Sequence, residues 1–239
     1  AEKAFNIGMG PFALMNLTGP SIALHATNYL AEQLNCTRYY GAECLKHTID
    51  NSGMWEIDGN TECDDETSKI IKERLLGQVF AVSAQIVEEE ICSIEDVDRG
   101  AKVGLRWAEG PFEIANRIGI ENAKIMAAKY AKLAGFELPL WINEKEGNFN
   151  FNYIDTKIDG EVARIVLNRP EAMNALNEEV VNQLGKVLDE LNSNEKISTI
   201  VLEGAGKAFV AGADVKYFVD KIREDSIKDI YDFTSYGHD

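Results

Sequence analysis

Apolar positions between residues 65 and 91 fall at helical spacing. In DETSKIIKERLLGQVFAVSAQIVEEEI, the residues Ile70, Ile71, Leu75, Leu76, Val79, Phe80, Ile86 and Val87 recur every three or four positions. They predict one long helix with a wide buried face. Ser93-Ile94-Glu95-Asp96 follows as a capping-box start, with Asp at its last position, for a helix running toward Leu105. Two more helical patterns, SIALHATNYLAEQL and ENAKIMAAKYAKLAG, each come directly after a repeated motif. Residues 10–19 read GPFALMNLTG and residues 110–119 read GPFEIANRIG, an internal repeat at an offset of one hundred. Pro at the first helical position gives up an N–H that has no partner there, and the closing Gly redirects the chain. A duplicated helical unit is the expectation.

The period changes after Pro139. Residues 142–153, INEKEGNFNFNY, are polar with Gly and Asn and form a linker, so the division is placed at residues 1–144 and 145–239. The pairs Phe151/Tyr153 and Ile165/Leu167 then predict two strands joined by a tight turn at Asp159-Gly160. VARIVLNRPEAMNAL, residues 162–176, reads as a strand ending at Asn168-Arg169-Pro170, a loop, and the start of a helix over 177–191. Farther on, Ile200-Val201-Leu202 is a short apolar run that suits a strand buried on both faces. Gly204, Gly206 and Gly212 let the backbone come close to something else, and Ala213-Asp214 turns into the helix VKYFVDKI. Unpaired N–H groups at that helix start can hold an anion, or an oxygen that gains charge during a reaction.

Familiar phosphate loops do not account for this segment. Val201 stands where a Walker A loop needs Gly, Ala208 follows Lys207 where Ser or Thr belongs, and Phe209 occupies the third small position of a dinucleotide fingerprint. Taken alone, an ordinary glycine-rich strand-to-helix loop explains it as well. Gly8-Met9-Gly10-Pro11-Phe12-Ala13 satisfies G-x-G-x-x-A, but no apolar strand leads into it, so helix capping is the better account.

The net charge of −16 and a pI near 4.6 argue against nucleic acid and anionic membrane surfaces as partners. A hydrophobic content of 45% is ample for packed cores, and no apolar run is long enough to span a bilayer. The expectation is a soluble cytoplasmic protein. Cys36, Cys44, Cys63 and Cys92 show no zinc spacing and read as free thiols, and His25, His47 and His238 have no grouped ligands, so no metal is expected.

Two resemblances then enter. NRPEAMNAL followed at this spacing by KAFVAGADVKYF resembles the crotonase superfamily, best known for enoyl-CoA hydratases and isomerases. The resemblance implies that the Ala213 N–H polarises an acyl-CoA thioester oxygen. It also places coenzyme A contacts at Ala211, Gly212, Asp214, Val215 and Lys216, and around Glu171, Ala172 and Met173. Lys207, Lys216 and Arg169 are the local basic residues such an anionic ligand needs. The likeness covers roughly the last ninety residues, and family members run to close to three times that length. The second oxyanion glycine and the pair of glutamates that deliver water have no counterpart, and Asp220, Glu224 and Asp225 receive no catalytic role.

The second resemblance is carried by ICSIEDVDRGAKVGLRWAEGPFE, which is similar to the C-terminal helical domain of 3-hydroxyacyl-CoA dehydrogenases. In full enzymes of that family a Rossmann domain comes first and carries the NAD fingerprint and the catalytic His and Glu; none of that is in this sequence. The helical domain serves dimer contacts and closure over the acyl-CoA, and a tandem copy could replace a dimer partner within one chain. Homo-oligomer contacts through the helical or the crotonase part remain open. The first copy starts without its leading helix, so the N-terminus looks cut.

The expected fold is therefore an all-α, duplicated dehydrogenase C-terminal-type domain followed by an incomplete α/β crotonase-like domain. The expected parent is a fused fatty-acid oxidation enzyme that hydrates a 2-enoyl-CoA and oxidises the 3-hydroxyacyl-CoA with NAD. This chain by itself is expected to catalyse neither step, and NAD is expected to bind elsewhere in the parent. A crotonase-type isomerase, thioester hydrolase or decarboxylase, or a non-catalytic assembly module, are the alternatives.

Overall fold

The computed structural model describes residues 1–5, 7–57 and 63–237. They divide into two compact units, 1–149 and 150–239.

The first unit is helical: α1 (Glu2–Phe5), α2 (Pro11–Thr18), α3 (Pro20–Gln33), α4 (Glu43–Asn51), α5 (Asp65–Glu88), α6 (Ile94–Gly104), α7 (Pro111–Ile118), α8 (Ile120–Ala134) and α9 (Leu140–Glu144). Its core lies where α5 packs on α8. Ala123, Ala127 and Ala131 form a small-residue stripe on α8, and Gly77 of α5 faces the Met126 carbonyl so closely that a methyl there would overlap it. Small residues at the crossing let two backbones approach and bring Leu76, Phe80, Ala81 and Ala84 to near-complete burial. The buried face of α5 is narrower than its apolar pattern suggests. Ile70 and Ile71 are exposed, as are all of residues 65–72 in the first two turns of the helix. Asp64 caps α5 by accepting from Thr67 N at 2.8 Å.

The repeat is a repeat in space. Gly10 and Gly110 precede α2 and α7 with φ/ψ of −73°/163° and −76°/166°, and Gly19 and Gly119 close them at φ 97° and 91°. Both copies also grip a strap of extended chain in the same way. Asn16 donates to Trp55 O and accepts from Trp55 N, both at 2.8 Å; Asn116 does the same with Phe149 O (2.9 Å) and N (2.7 Å). Phe12 stacks on Trp55, and Phe112 meets Phe149 edge-on. The copies differ at the helix start. Asp98 of α6 accepts from Phe112 N at 2.8 Å and Glu113 N at 2.9 Å, whereas at α2 the Glu2 carboxylate accepts from Gly10 N. Ser93 forms half of its expected capping box, accepting from Asp96 N at 3.2 Å.

The second unit holds β1 (Ile154–Asp159), β2 (Val162–Leu167), α10 (Glu178–Asn192), β3 (Thr199–Gly204), α11 (Val215–Arg223) and α12 (Ile227–Tyr236). The sheet order is β1-β2-β3, with β1 antiparallel and β3 parallel to β2. The hairpin turn is Gly160-Glu161, one residue later than the sequence suggests, with Gly160 at φ 61°. Ala163, Ile165 and Leu167 of β2 alternate into the core, where α10 contributes Val180, Val181 and Leu191.

Two expectations fail for stated reasons. Phe151 and Tyr153 are buried but not in a strand, because the Gln183 side chain takes the place of a neighbouring strand: it donates to Phe151 O at 2.6 Å and accepts from Tyr153 N at 2.8 Å. The Ile200-Val201-Leu202 run is not buried on both faces. It lies in the edge strand β3, where Leu202 is 42% exposed.

Candidate functional site

Both loops that leave β2 and β3 at their C-terminal ends are folded against each other. After Leu167 the chain makes a short 3₁₀ turn, Pro170–Ala172, and then places Met173 and Asn174 in the left-handed region at φ 52° and 54°. Bonds from Ala172 N and Asn174 N back to Arg169 O close the turn at 3.1 and 2.9 Å. Asn174, 1% exposed, then does the joining. Its Oδ1 accepts from Arg169 N at 2.8 Å, and its Nδ2 donates to Ala205 O at 2.9 Å and Ala208 O at 2.8 Å, across to the loop after β3. Gly206, at φ 81°, lies so near Pro170 that an added Cβ would sit 2.9 Å from the proline Cβ.

The loops then run parallel. Ala211 N donates to Met173 O at 3.1 Å, Leu176 N to Gly212 O at 2.8 Å, and Asp214 N to Leu176 O at 2.8 Å. This is a one-residue parallel bridge between Leu176 and Ala213. In such a bridge the partner residue's own N–H and C=O point to the opposite side, since its two neighbours make the bonds. Among the described residues the Ala213 N–H has no hydrogen-bond partner, and the residue is exposed. Gly212 makes this possible with φ 116°, a conformation costly for any side chain.

Asp214 fixes the far side of the turn. Its Oδ1 accepts from Lys216 N at 3.0 Å, capping α11, and its Oδ2 pairs with Arg169 at 2.7 Å. The same guanidinium nitrogen donates to Ala175 O at 3.1 Å, and the group lies over the Tyr153 ring. The two side chains are 15% and 14% exposed, so the Asp214 carboxylate is held inside the protein and offers a ligand little beyond its backbone. The structure thus brings Met173, Ala211, Gly212, Ala213 and Asp214 together. Val215 and Lys216 follow on the exposed start of α11, Ala172 is half-buried in the 3₁₀ turn, and Lys207 is exposed. Asp220, Glu224 and Asp225 lie at the other end of α11, where Asp220 and Glu224 pair with Arg223 and Lys221. In the sequence Asn174 differs from its neighbours only as an amide residue among Ala172, Met173, Ala175 and Leu176, and Gln183 carries no local mark at all.

Residues 8–13 do not fit a dinucleotide. A helix, α1, precedes them where the fingerprint needs a strand, Pro11 has no N–H to offer, and the Glu2 carboxylate already accepts from Gly10 N at 2.8 Å where a pyrophosphate oxygen would have to sit. Adding NAD should leave the melting temperature of the chain unchanged; a saturable upward shift in a thermal denaturation series would contradict this. Among the described residues no three His, Cys, Asp or Glu side chains group as metal ligands, and the four cysteines are free. His238 lies outside the described residues. No helix of the described residues is long and apolar enough to cross a membrane.

Residues 71–140 match the family described as 3-hydroxyacyl-CoA dehydrogenase, C-terminal domain, and residues 162–237 match that described as enoyl-CoA hydratase/isomerase. Two different families thus match successive parts of the chain, each over less than half of it. The first match falls in the helical unit and the second in the unit that carries the sheet. A probable enoyl-CoA hydratase of Mycobacterium bovis is 45% identical over 62 residues, 26% of this chain and 24% of that protein. A short-chain-enoyl-CoA hydratase of Clostridium acetobutylicum is 38% identical over 65 residues, 27% of this chain and 25% of its own length. The crystal structure of an enoyl-CoA hydratase/isomerase from Mycobacterium paratuberculosis matches at 36% identity with a TM-score of 0.26, covering 28% of this chain and 26% of that one. The chain spans about a quarter of the length of the curated relatives it matches.

Proposed function

We propose that the paired loops after β2 and β3 are one half of an acyl-CoA thioester site, in which the Ala213 N–H donates to the thioester oxygen. The observation that carries this reading is the Leu176–Ala213 bridge. It uses the Gly212 carbonyl and the Asp214 N–H and leaves the Ala213 N–H directed away from Leu176 and without a partner among the described residues. A neutral donor held in place suits an oxygen that gains charge only as an enolate forms, because it stabilises the transition state more than the bound thioester. Ala211, Gly212, Val215 and Lys216, with Ala172 and Met173 from the facing loop, supply the contacts to coenzyme A, and Lys216 supplies positive charge within a chain of net charge −16.

The parent activity under this reading is fatty-acid oxidation of the fused type: hydration of a 2-enoyl-CoA and NAD-dependent oxidation of the 3-hydroxyacyl-CoA. NAD would supply hydride acceptance there, and residues 8–13 do not fit it. The second oxyanion donor and the carboxylates that activate water have no counterpart among the loops described, so this chain binds thioester without turning it over. Calorimetry with acetoacetyl-CoA tests the reading. Binding is expected, and Lys216→Ala should weaken it about tenfold, the loss of one exposed charge-assisted contact of about 1.4 kcal/mol. No heat of binding would leave the chain an assembly module without a ligand of its own.

A further inference from the structure

We propose that Arg169 is the positioning residue of this site: through Asp214 it sets the direction of the Ala213 N–H without touching the ligand. The inference rests on the reading of Ala213 given above and corrects the expectation that Arg169 meets the anionic ligand: its charge is paired with Asp214 and its side chain is 15% exposed, so the coenzyme A contacts do not include it. Ala213 sits between two backbone bonds to Leu176, from Gly212 O and from Asp214 N. Those bonds fix its plane only if residues 212 and 214 are themselves held. Gly212 is held through its carbonyl alone, since it has no side chain, and at φ 116° no Cβ restricts its rotation. Asp214 is therefore the anchored end.

One guanidinium nitrogen of Arg169 performs the anchoring on both sides of the bridge. It meets the Asp214 carboxylate at 2.7 Å and the Ala175 carbonyl at 3.1 Å, so the residue before Leu176 and the residue after Ala213 are tied to one atom. Arg169 is itself fixed: its backbone N–H is bound by buried Asn174, and its guanidinium lies over Tyr153 with its centre 5.7 Å from the ring centroid. Capping of α11 is a separate task of Asp214, carried by its other oxygen on Lys216 N. The two tasks can be separated by substitution, since asparagine caps a helix as well as aspartate does but has no charge to pair with arginine.

The test is ¹H–¹⁵N NMR of the full 239-residue chain titrated with butyryl-CoA. In the unsubstituted chain the amide proton of Ala213 should move downfield as it gains an acceptor, together with the amides around Lys216. In Arg169→Gln the Lys216 amides should still move, with a Kd within about threefold of the original because the coenzyme A contacts are intact. The Ala213 displacement should be lost. Asp214→Asn should reproduce that loss with α11 still capped, and it serves if Arg169→Gln does not fold; Arg169→Lys should restore most of the displacement. Full Ala213 displacement in Asp214→Asn or in folded Arg169→Gln overturns the positioning role while leaving the thioester reading in place. If no amide of either loop responds in the unsubstituted chain, the thioester reading itself fails and the positioning role falls with it.

Discussion

Asn174→Ala is expected to destabilise the C-terminal unit by roughly 3–5 kcal/mol, the sum of buried hydrogen-bonding groups left without partners and a left-handed residue that alanine tolerates poorly. Few single positions carry so much. Asn174 is 1% exposed, and its one side chain satisfies Arg169 N, Ala205 O and Ala208 O. Alanine removes all three partners at once. It also places a Cβ-bearing residue without a polar side chain at φ 54°, directly after Met173 at φ 52°. Against typical domain stabilities of about 5–15 kcal/mol, such a loss brings the unit close to its unfolding midpoint at room temperature. Asn174→Gly separates the two contributions. Glycine removes the hydrogen bonds but not the freedom to adopt positive φ, so it should recover about 1–2 kcal/mol of the loss. Calorimetric unfolding of the three proteins decides the matter, and if alanine lies within 1 kcal/mol of asparagine the loops are not held by this side chain.

The role of Asn174 has no local signature, and the contrast with the helix starts marks which parts of this fold are local. Gly-Pro helix starts and closing glycines depend on the φ/ψ of a few adjacent residues, so GPFALMNLTG and GPFEIANRIG announced two equal helical turns, and the structure has them. The partners of Asn16 and Asn116 were not legible. They lie 39 and 33 residues away on straps of different sequence, and the identity of the two asparagines was the one trace of a shared task. Alternation at Phe151/Tyr153 gave correct burial and the wrong element, because period two reports which side chains point inward and not what hydrogen-bonds the backbone. The site divides in the same way. Its glycine turn and helix start could be read from residues 204–218, whereas the ion pair between Arg169 and Asp214 spans 45 residues, and both side chains could equally have faced solvent or ligand.

Asp98 should make the helical unit less stable as pH rises from about 4 to about 7. The carboxyl is 1% exposed, and burial pushes its pKa from 3.8 up to about 7, with the Glu113 charge acting in the same direction. The N–H bonds from Phe112 and Glu113 and the charge of Lys102 oppose the rise without cancelling it. Between the two values the folded chain holds a proton that the unfolded chain has released. The folded state then binds more protons, so stability falls with increasing pH and levels off above about 7. Three pKa units correspond to a loss on the order of 4 kcal/mol across that window, reduced by whatever the helix end contributes to the charged form. Asp98→Asn removes the titration. It keeps one acceptor but sets an amide donor against the other N–H of α7, costing roughly 1–3 kcal/mol at pH 5. Space cannot relieve that conflict, because Gly110 already packs against Asp98 so closely that even a methyl would overlap it. The gap between the two proteins should therefore be widest near pH 5 and should narrow by several kcal/mol, or reverse, by pH 8. Urea unfolding followed by the fluorescence of Trp107 and Trp141 at both pH values measures it, and a gap that stays constant would mean Asp98 is ionised throughout and acts only as the cap of α7.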